Sequence, residues 1–83
     1  EEILFGEHTL IDIEELVVQG DSPIVGKTLK DLDLRKKFGI TVIAVKKATG
    51  KIIFTPGGDV TIEPFDILVV VSTKDKLQEA VRI

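Results

Sequence analysis

Residues Gly20 to Val45, GDSPIVGKTLKDLDLRKKFGITVIAV, hold the reading that decides the fold. Gly20, Asp21, Ser22 and Pro23 are turn formers that end a preceding strand. Thr28 opens a helix, and Thr28 with Asp31 makes a capping-box pair. In that pair the hydroxyl and the carboxylate each reach orphan backbone N–H groups of the first turn. Leu29 and Leu32 form the inward stripe, extended by Leu34 or Phe38. Arg35, Lys36 and Lys37 fall in the last turn, where cations favour the negative end of the helix dipole. Gly39 stands as the left-handed C-cap. Ile40 to Val45 is β-branched and apolar on both faces apart from Thr41 and Ala44, so it predicts a central strand covered on both sides.

Upstream, residues 1–9 read as a linker or lead-in strand from a preceding domain, with an apolar patch at Ile3, Leu4 and Phe5 and a breaker at Gly6. His8 reads as a solvent-exposed polar residue. Leu10 to Gln19 alternates at Ile11 and Ile13, slips at Glu14–Glu15, and resumes at Leu16 and Val18. One phase error in a period of two predicts a two-part strand with a bulge at the slip. The two glutamates read as a solvated edge rather than a cation site.

Downstream, Lys46 to Lys51 turns the chain back, and Ile52-Ile53-Phe54 returns as the second strand of a hairpin. Pro56-Gly57-Gly58-Asp59 is a loop before a short extended piece, Val60 to Ile62. Glu63-Pro64-Phe65-Asp66 makes another tight turn, and Ile67 to Val71 is a second buried strand. Ser72 and Asp75 form a capping box for a closing helix, Lys74 to Arg82, with Leu77, Ala80 and Val81 inward. The expected order is β-α-β-β-β-β-α. That is an α+β fold in which two helices cover one face of a mixed or antiparallel sheet of four to five strands.

Composition narrows the function. Eighty-three residues make one domain, and the first residue, Glu1, suggests a piece of a longer chain. No apolar run approaches the ~20 residues that span a bilayer, and no leader pattern is present, so direct membrane insertion is not expected. The absence of Cys removes disulfide and thiolate chemistry, and a single His removes a metal site built on several imidazoles. A net charge of −3 argues against a nucleic-acid partner, and four Phe with no Trp or Tyr are too few for a base-stacking platform.

GDSPIVGKT resembles a phosphate-binding loop feeding a helix, but the Walker spacing needs four residues between the first Gly and Gly-Lys-Thr. Here Asp21 to Val25 supply five. Pro23 removes an N–H donor and Asp21 brings a negative charge, so the stretch is a strand exit and a helix cap. Ser22 and Ser72 have no base candidate beside them in sequence. Asp31 and Asp33 point about 200° apart on a helix, so they do not form a calcium loop. No catalytic and no metal-binding constellation is expected.

The basic cluster Arg35-Lys36-Lys37 keeps two readings. One is complementarity to the helix dipole. The other is an anion site in which Arg35 offers a planar fork to a phosphate, with Lys46, Lys47 and Lys51 adding to the field.

SPIVGKTLKDLDLRKKFGITVIAVKK (residues 22–47) and TPGGDVTIEPFDILVVVSTKDKLQEA (residues 55–80) resemble the TrkA C-terminal, or RCK C-lobe, domain. The family features are S-P-x-x-G-K-x-L-x-x-L-x-L-R, a strand with a following basic residue, and E-x-G-D-x-L-x-V at the last strand. All three stand here, with Phe65 where the family usually has Gly. The match covers about residues 10–82, and it divides the chain into a lead-in, 1–9, and a TrkA-C-like domain, 10–83.

The resemblance implies a regulatory module rather than an enzyme, one that follows a Rossmann-like N-lobe in cytosolic subunits or tails of potassium channels and other ion transporters. It implies a homodimer, a transmembrane ion-transport subunit as partner, and a cytoplasmic place at the membrane through that complex. The G-x-G-x-x-G fingerprint of the N-lobe is not in this chain, so no NAD or ATP is assigned to it. In one branch of the family, cyclic di-AMP binds across the dimer interface; an Arg in the last helical turn and an Asn just after the Gly stop hold phosphate between apolar walls. Arg35 matches the first position, and Thr41 stands at the second, with a hydroxyl in place of the amide. Phe38, Ile40 and Pro56 are the expected walls.

Overall fold

The computed structural model describes residues 2–5 and 9–80, and the side chains of residues 10–78. The strands are β1 (Glu2–Phe5), β2 (Thr9–Val17), β3 (Thr41–Lys46), β4 (Ile52–Phe54) and β5 (Ile67–Thr73). The helices are α1 (Leu29–Leu32), α2 (Leu34–Phe38) and α3 (Lys74–Ala80). The sheet runs β1-β2-β5-β3-β4, and every pairing in it is antiparallel. The expected α+β architecture therefore stands, with the sheet antiparallel rather than mixed.

The expected order changes in two places. Glu2–Phe5 pairs with β2, Ile3 opposite Ile11. Val60 to Ile62 joins no ladder and makes only an isolated bridge, Thr61 to Thr28. Gly6, His8, Val81 and Arg82, and the side chains of Ile3, Leu4, Phe5 and Ala80, lie outside the described residues.

The phase error in β2 has a different cause from the bulge expected there. Its register against β5 is unbroken from Ile11 opposite Thr73 to Val17 opposite Ile67. Leu16 and the following Val18 therefore face the helices, whereas Ile11 and Ile13 face the other side, following from the two-residue period. Both faces of the sheet carry apolar residues, which one alternating pattern does not convey. The register shift falls instead in β3, between Val42 and Ala44.

One helix was expected from Thr28 to Phe38, and two short ones form. Thr28 caps the first, accepting the Asp31 N–H on Oγ1 at 3.1 Å; the return bond from the Asp31 carboxylate is not made. Asp33 then takes the left-handed conformation, φ 49° and ψ 44°, and ends α1, a conformation aspartate tolerates better than most residues. In a continuous helix Leu32 and Leu34 would point about 200° apart. The reversal at Asp33 brings both, with Leu29 and Phe38, against the core formed by Val18, Ile40, Val45, Ile62, Leu68, Val70 and Leu77. Gly39, at φ 69°, closes α2 as expected.

At the end of β5, Ser72 does not cap α3. Its hydroxyl donates to the Gly39 carbonyl at 2.6 Å, while the Thr73 hydroxyl beside Asp75 holds that carboxyl below the usual carboxylate range. The strand runs straight into the helix, with Thr73 the residue before its first turn.

The opposite sheet face has no described helix upon it. Because Ile53 packs on the core, its neighbours Ile52 and Phe54 point the other way, and they are 62% and 72% exposed. Val17, between the inward Leu16 and Val18, is 53% exposed on the same face.

Candidate ligand-binding site

The break at Asp33 and the stop at Gly39 open a cavity of about 500 Å³ beside α2. Its apolar wall is Leu29, Leu34, Ile40, Val42, Ile43 and Pro56, and its polar groups come from Lys30, Asp33, Arg35, Thr41 and Thr55. The floor is held by backbone pairing: the Leu29 N–H donates to the Val60 carbonyl at 3.0 Å and the Lys30 N–H to the Gly58 carbonyl at 2.9 Å. This brings the 56–60 loop so close to α1 that a Cβ on Gly58 would lie 3.1 Å from the Lys30 Cβ. The Gly57-Gly58 pair thus permits an approach that any larger residue would push apart.

Four of the five expected ligand residues, Arg35, Ile40, Thr41 and Pro56, line this one cavity. The fifth, Phe38, is half-buried on the other flank of α2. There it lines a second groove of about 790 Å³ with Leu16, Ile24, Leu32 and Lys37. Phe38 packs with Leu34 against the core, which holds it away from Arg35. The sequence reading missed Lys30, Asp33 and Thr55. Lys30 and Asp33 were readable only once the left-handed break was known, and Thr55 only from the position of the loop.

The site is electrostatically available. Arg35 is exposed, and its guanidinium forms no hydrogen bond or ion pair with another described residue. It therefore keeps its five donors free for a planar anion. The Asp33 side chain makes no capping bond to α2, leaving a carboxylate acceptor in the same wall.

The phosphate-loop look-alike spends its donors internally. The N–H groups of Ser22, Val25, Gly26 and Lys27 donate to the carbonyls of Gln19, Ser22, Ile62 and Ile24 at 2.8–3.2 Å. A loop whose N–H groups are already paired cannot wrap a triphosphate. Among the described residues no cluster of three or more His, Asp or Glu could hold a metal ion. No described helix is long and apolar enough to cross a membrane.

Comparison with known proteins identifies the family and the fold. The family model of the TrkA-C domain matches residues 13–83. Ktr system potassium uptake protein C of Bacillus subtilis (strain 168) is 36% identical over 67 residues, 81% of this chain and 28% of that protein. The K(+)/H(+) antiporter subunit KhtT of the same organism is 33% identical over 69 residues, 83% of this chain and 42% of that protein. The chain thus spans less than half the length of either relative.

Among solved structures, the RCK C domain of the potassium transport protein KtrA in complex with cyclic di-AMP superposes with a TM-score of 0.79 at 28% identity, over 87% of this chain and 81% of that one. The RCK_C domain dimer of S. agalactiae BusR with cyclic di-AMP gives 0.74 at 29% identity, over 82% and 83%. S. agalactiae BusR in complex with its busAB promoter DNA gives a TM-score of 0.74 at 29% identity, over 82% of this chain and 33% of that one. Motif, topology and family model agree across nearly the whole chain, which belongs to the TrkA-C domain family.

Proposed function

We propose that this domain is the dimerising, ligand-sensing regulatory lobe of a protein controlling the transport of potassium or another cation, and that cyclic di-AMP is its effector. The observation that carries the reading is the convergence of Arg35, Ile40, Thr41 and Pro56 on one cavity, with the Arg35 guanidinium unpaired. The fork suits a phosphodiester, and the apolar wall suits the face of a purine. A cyclic dinucleotide has two phosphates and two bases, so a single pocket holds half of it and a second copy of the chain holds the other half. The KtrA and BusR domains, solved with the same ligand, support this choice.

The lobe acts without catalysis. A ligand that bridges two copies favours one relative arrangement of them, and the attached transport machinery feels only that difference in affinity. In the whole protein a Rossmann-like N-lobe precedes residue 10, and a cytoplasmic complex with the transmembrane subunit places the domain at the membrane. A net charge of −3 disfavours nucleic acid as a partner of this lobe, and the match covers a third of the DNA-bound BusR chain.

Isothermal titration with cyclic di-AMP tests the reading. The wild-type chain is expected to give saturable heat with one ligand per two chains, and Arg35→Ala to abolish it while the protein stays dimeric. No heat at high-micromolar ligand removes the effector.

A second reading, a purely structural dimerisation lobe, is favoured by Thr41, whose hydroxyl is a poorer phosphate anchor than the Asn amide of the cyclic di-AMP branch. The bare apolar sheet face at Val17, Ile52 and Phe54 supports dimerisation under either reading. A structural lobe stays dimeric and shows no ligand effect. Light scattering at micromolar concentration is expected to give about twice the 9.1 kDa chain mass, and a value near 9.1 kDa refutes the dimer in both.

A further inference from the structure

Ser72 has been taken from the place its sequence context suggests. It stands at the end of β5, one residue from α3, yet its hydroxyl reaches across 33 positions of sequence to the Gly39 carbonyl at 2.6 Å. Gly39 is the left-handed stop of α2, and its N–H bonds back to the carbonyls of Arg35 and Leu34. The following Ile40 N–H also returns to Leu34, at 3.2 Å. This turn fixes how Arg35 stands relative to Thr41, two residues beyond the stop.

Leu34 and Phe38 anchor this helix to the core, but its backbone has little support of its own. It is five residues long, with left-handed residues at both ends, Asp33 at φ 49° and Gly39 at φ 69°. So short a segment has little helical stability of its own. Cavities lie on both of its flanks, about 500 Å³ on the Arg35 side and about 790 Å³ on the Phe38 side, and Leu34 and Ile40 line both. The helix therefore has open space on either side. The Ser72 bond ties its C-terminal end to the sheet, and the Lys76 side chain of α3 lies beside Gly39, 3.8 Å from where a Cβ would stand.

We propose that Ser72 is a positioning residue of the ligand pocket: by clamping Gly39 it sets the Arg35–Thr41 geometry, and through the same bond a displacement of α2 reaches the first turns of α3. The inference deepens the ligand-sensing reading and rests on it for its biological meaning, but the clamp itself is tested without ligand.

Amide hydrogen exchange on the 83-residue chain, wild type against Ser72→Ala and Ser72→Thr, tests the clamp. Ser72→Ala is expected to speed exchange at Gly39 and Ile40 about three- to tenfold, the span of one lost hydrogen bond. Val45 and Val70 stay unchanged, and Ser72→Thr, which keeps the hydroxyl, restores protection. Gly39→Ala, which strains the stop, is expected to speed exchange at Leu77 and Gln78 in the wild-type background and to add nothing in Ser72→Ala. Equal exchange at Gly39 and Ile40 in wild type and Ser72→Ala overturns the clamp. An equal effect of Gly39→Ala in both backgrounds overturns the coupling.

With cyclic di-AMP as probe, Ser72→Ala is expected to bind about fivefold more weakly and to lose the ligand-induced protection of residues 76–78. Affinity and protection equal to wild type refute the positioning role. If the wild type does not bind, the ligand reading fails by itself, and the ligand-free exchange still decides for or against the clamp.

Discussion

The ammonium of Lys47 lies 2.5 Å from the Asp66 carboxylate, at the bottom of the turn between β3 and β4. It also reaches Glu63 at 2.8 Å and the Thr61 carbonyl at 3.1 Å. Asp66 is fully buried, and its Oδ2 accepts the Glu63 N–H at 2.8 Å as well. One lysine thus fastens the hairpin to the turn that launches the central strand. Removing it strands a buried carboxylate, so Lys47→Met is expected to cost about 3 kcal/mol or more in urea unfolding. Asp66→Asn added to Lys47→Met should recover part of that loss, because the uncompensated charge is gone.

The same pair predicts an alkaline limit. Burial pulls the Lys47 ammonium down, but the hydrogen bonds to Asp66 and Glu63 outweigh it and hold its pKa above the ordinary 10.5. A group raised on folding contributes fully below its unfolded pKa and loses that contribution as pH rises through the folded value. The melting temperature is therefore expected to be insensitive to this group from pH 7 to about 9.5 and to fall above about 10.5. Lys47→Met, measured over the same range, should show a shallower fall.

Phe65 stands at φ 66° where the family usually has Gly. It is 60% exposed, with its ring end 3.2 Å from the position a Cβ on Gly20 would take. A bulky residue in the left-handed region costs about 1–2 kcal/mol, and little burial offsets it. Phe65→Gly is expected to raise the unfolding free energy by about 0.5–1 kcal/mol in a denaturant titration. A loss of stability would mean that the ring's contact with the Gly20 turn outweighs the strain.

Gly58→Ala tests the pocket floor. The added methyl, 3.1 Å from the Lys30 Cβ, must push the loop from α1 and stretch the Lys30–Gly58 bond. A loss of about 1 kcal/mol in stability is expected, together with weaker cyclic di-AMP binding, since Pro56 and Thr55 move with the loop. Unchanged affinity would place the ligand away from this wall.

Local signals that act within one turn of chain were legible in the sequence. The Thr28 cap, the Gly39 stop and the basic last turn of α2 need only neighbouring residues to be recognised, and each stands as expected. The family motif carried the fold and four of the pocket residues. What stayed hidden depended on distant partners: Asp33 breaks the helix because two leucines must meet the same core, and Ser72 finds a carbonyl 33 residues away rather than its own helix. The Ile11–Ile13 and Leu16–Val18 pairs looked like one interrupted face because a strand apolar on both sides has no single phase. The sequence reading gave Lys47 to the anion field around Arg35; its ammonium is instead held by Asp66 and Glu63, partners visible only once the Glu63–Asp66 turn is folded beneath it.

A nitrogen–proton NMR titration with cyclic di-AMP tests the central claim most directly, because it reports where the ligand sits as well as whether it binds. Saturable shifts are expected at Lys30, Asp33, Arg35, Thr41, Thr55 and Gly58, and their loss in Arg35→Ala. Absence of shifts at high-micromolar ligand, or shifts confined to Leu16, Ile24 and Phe38 across α2, would contradict the account.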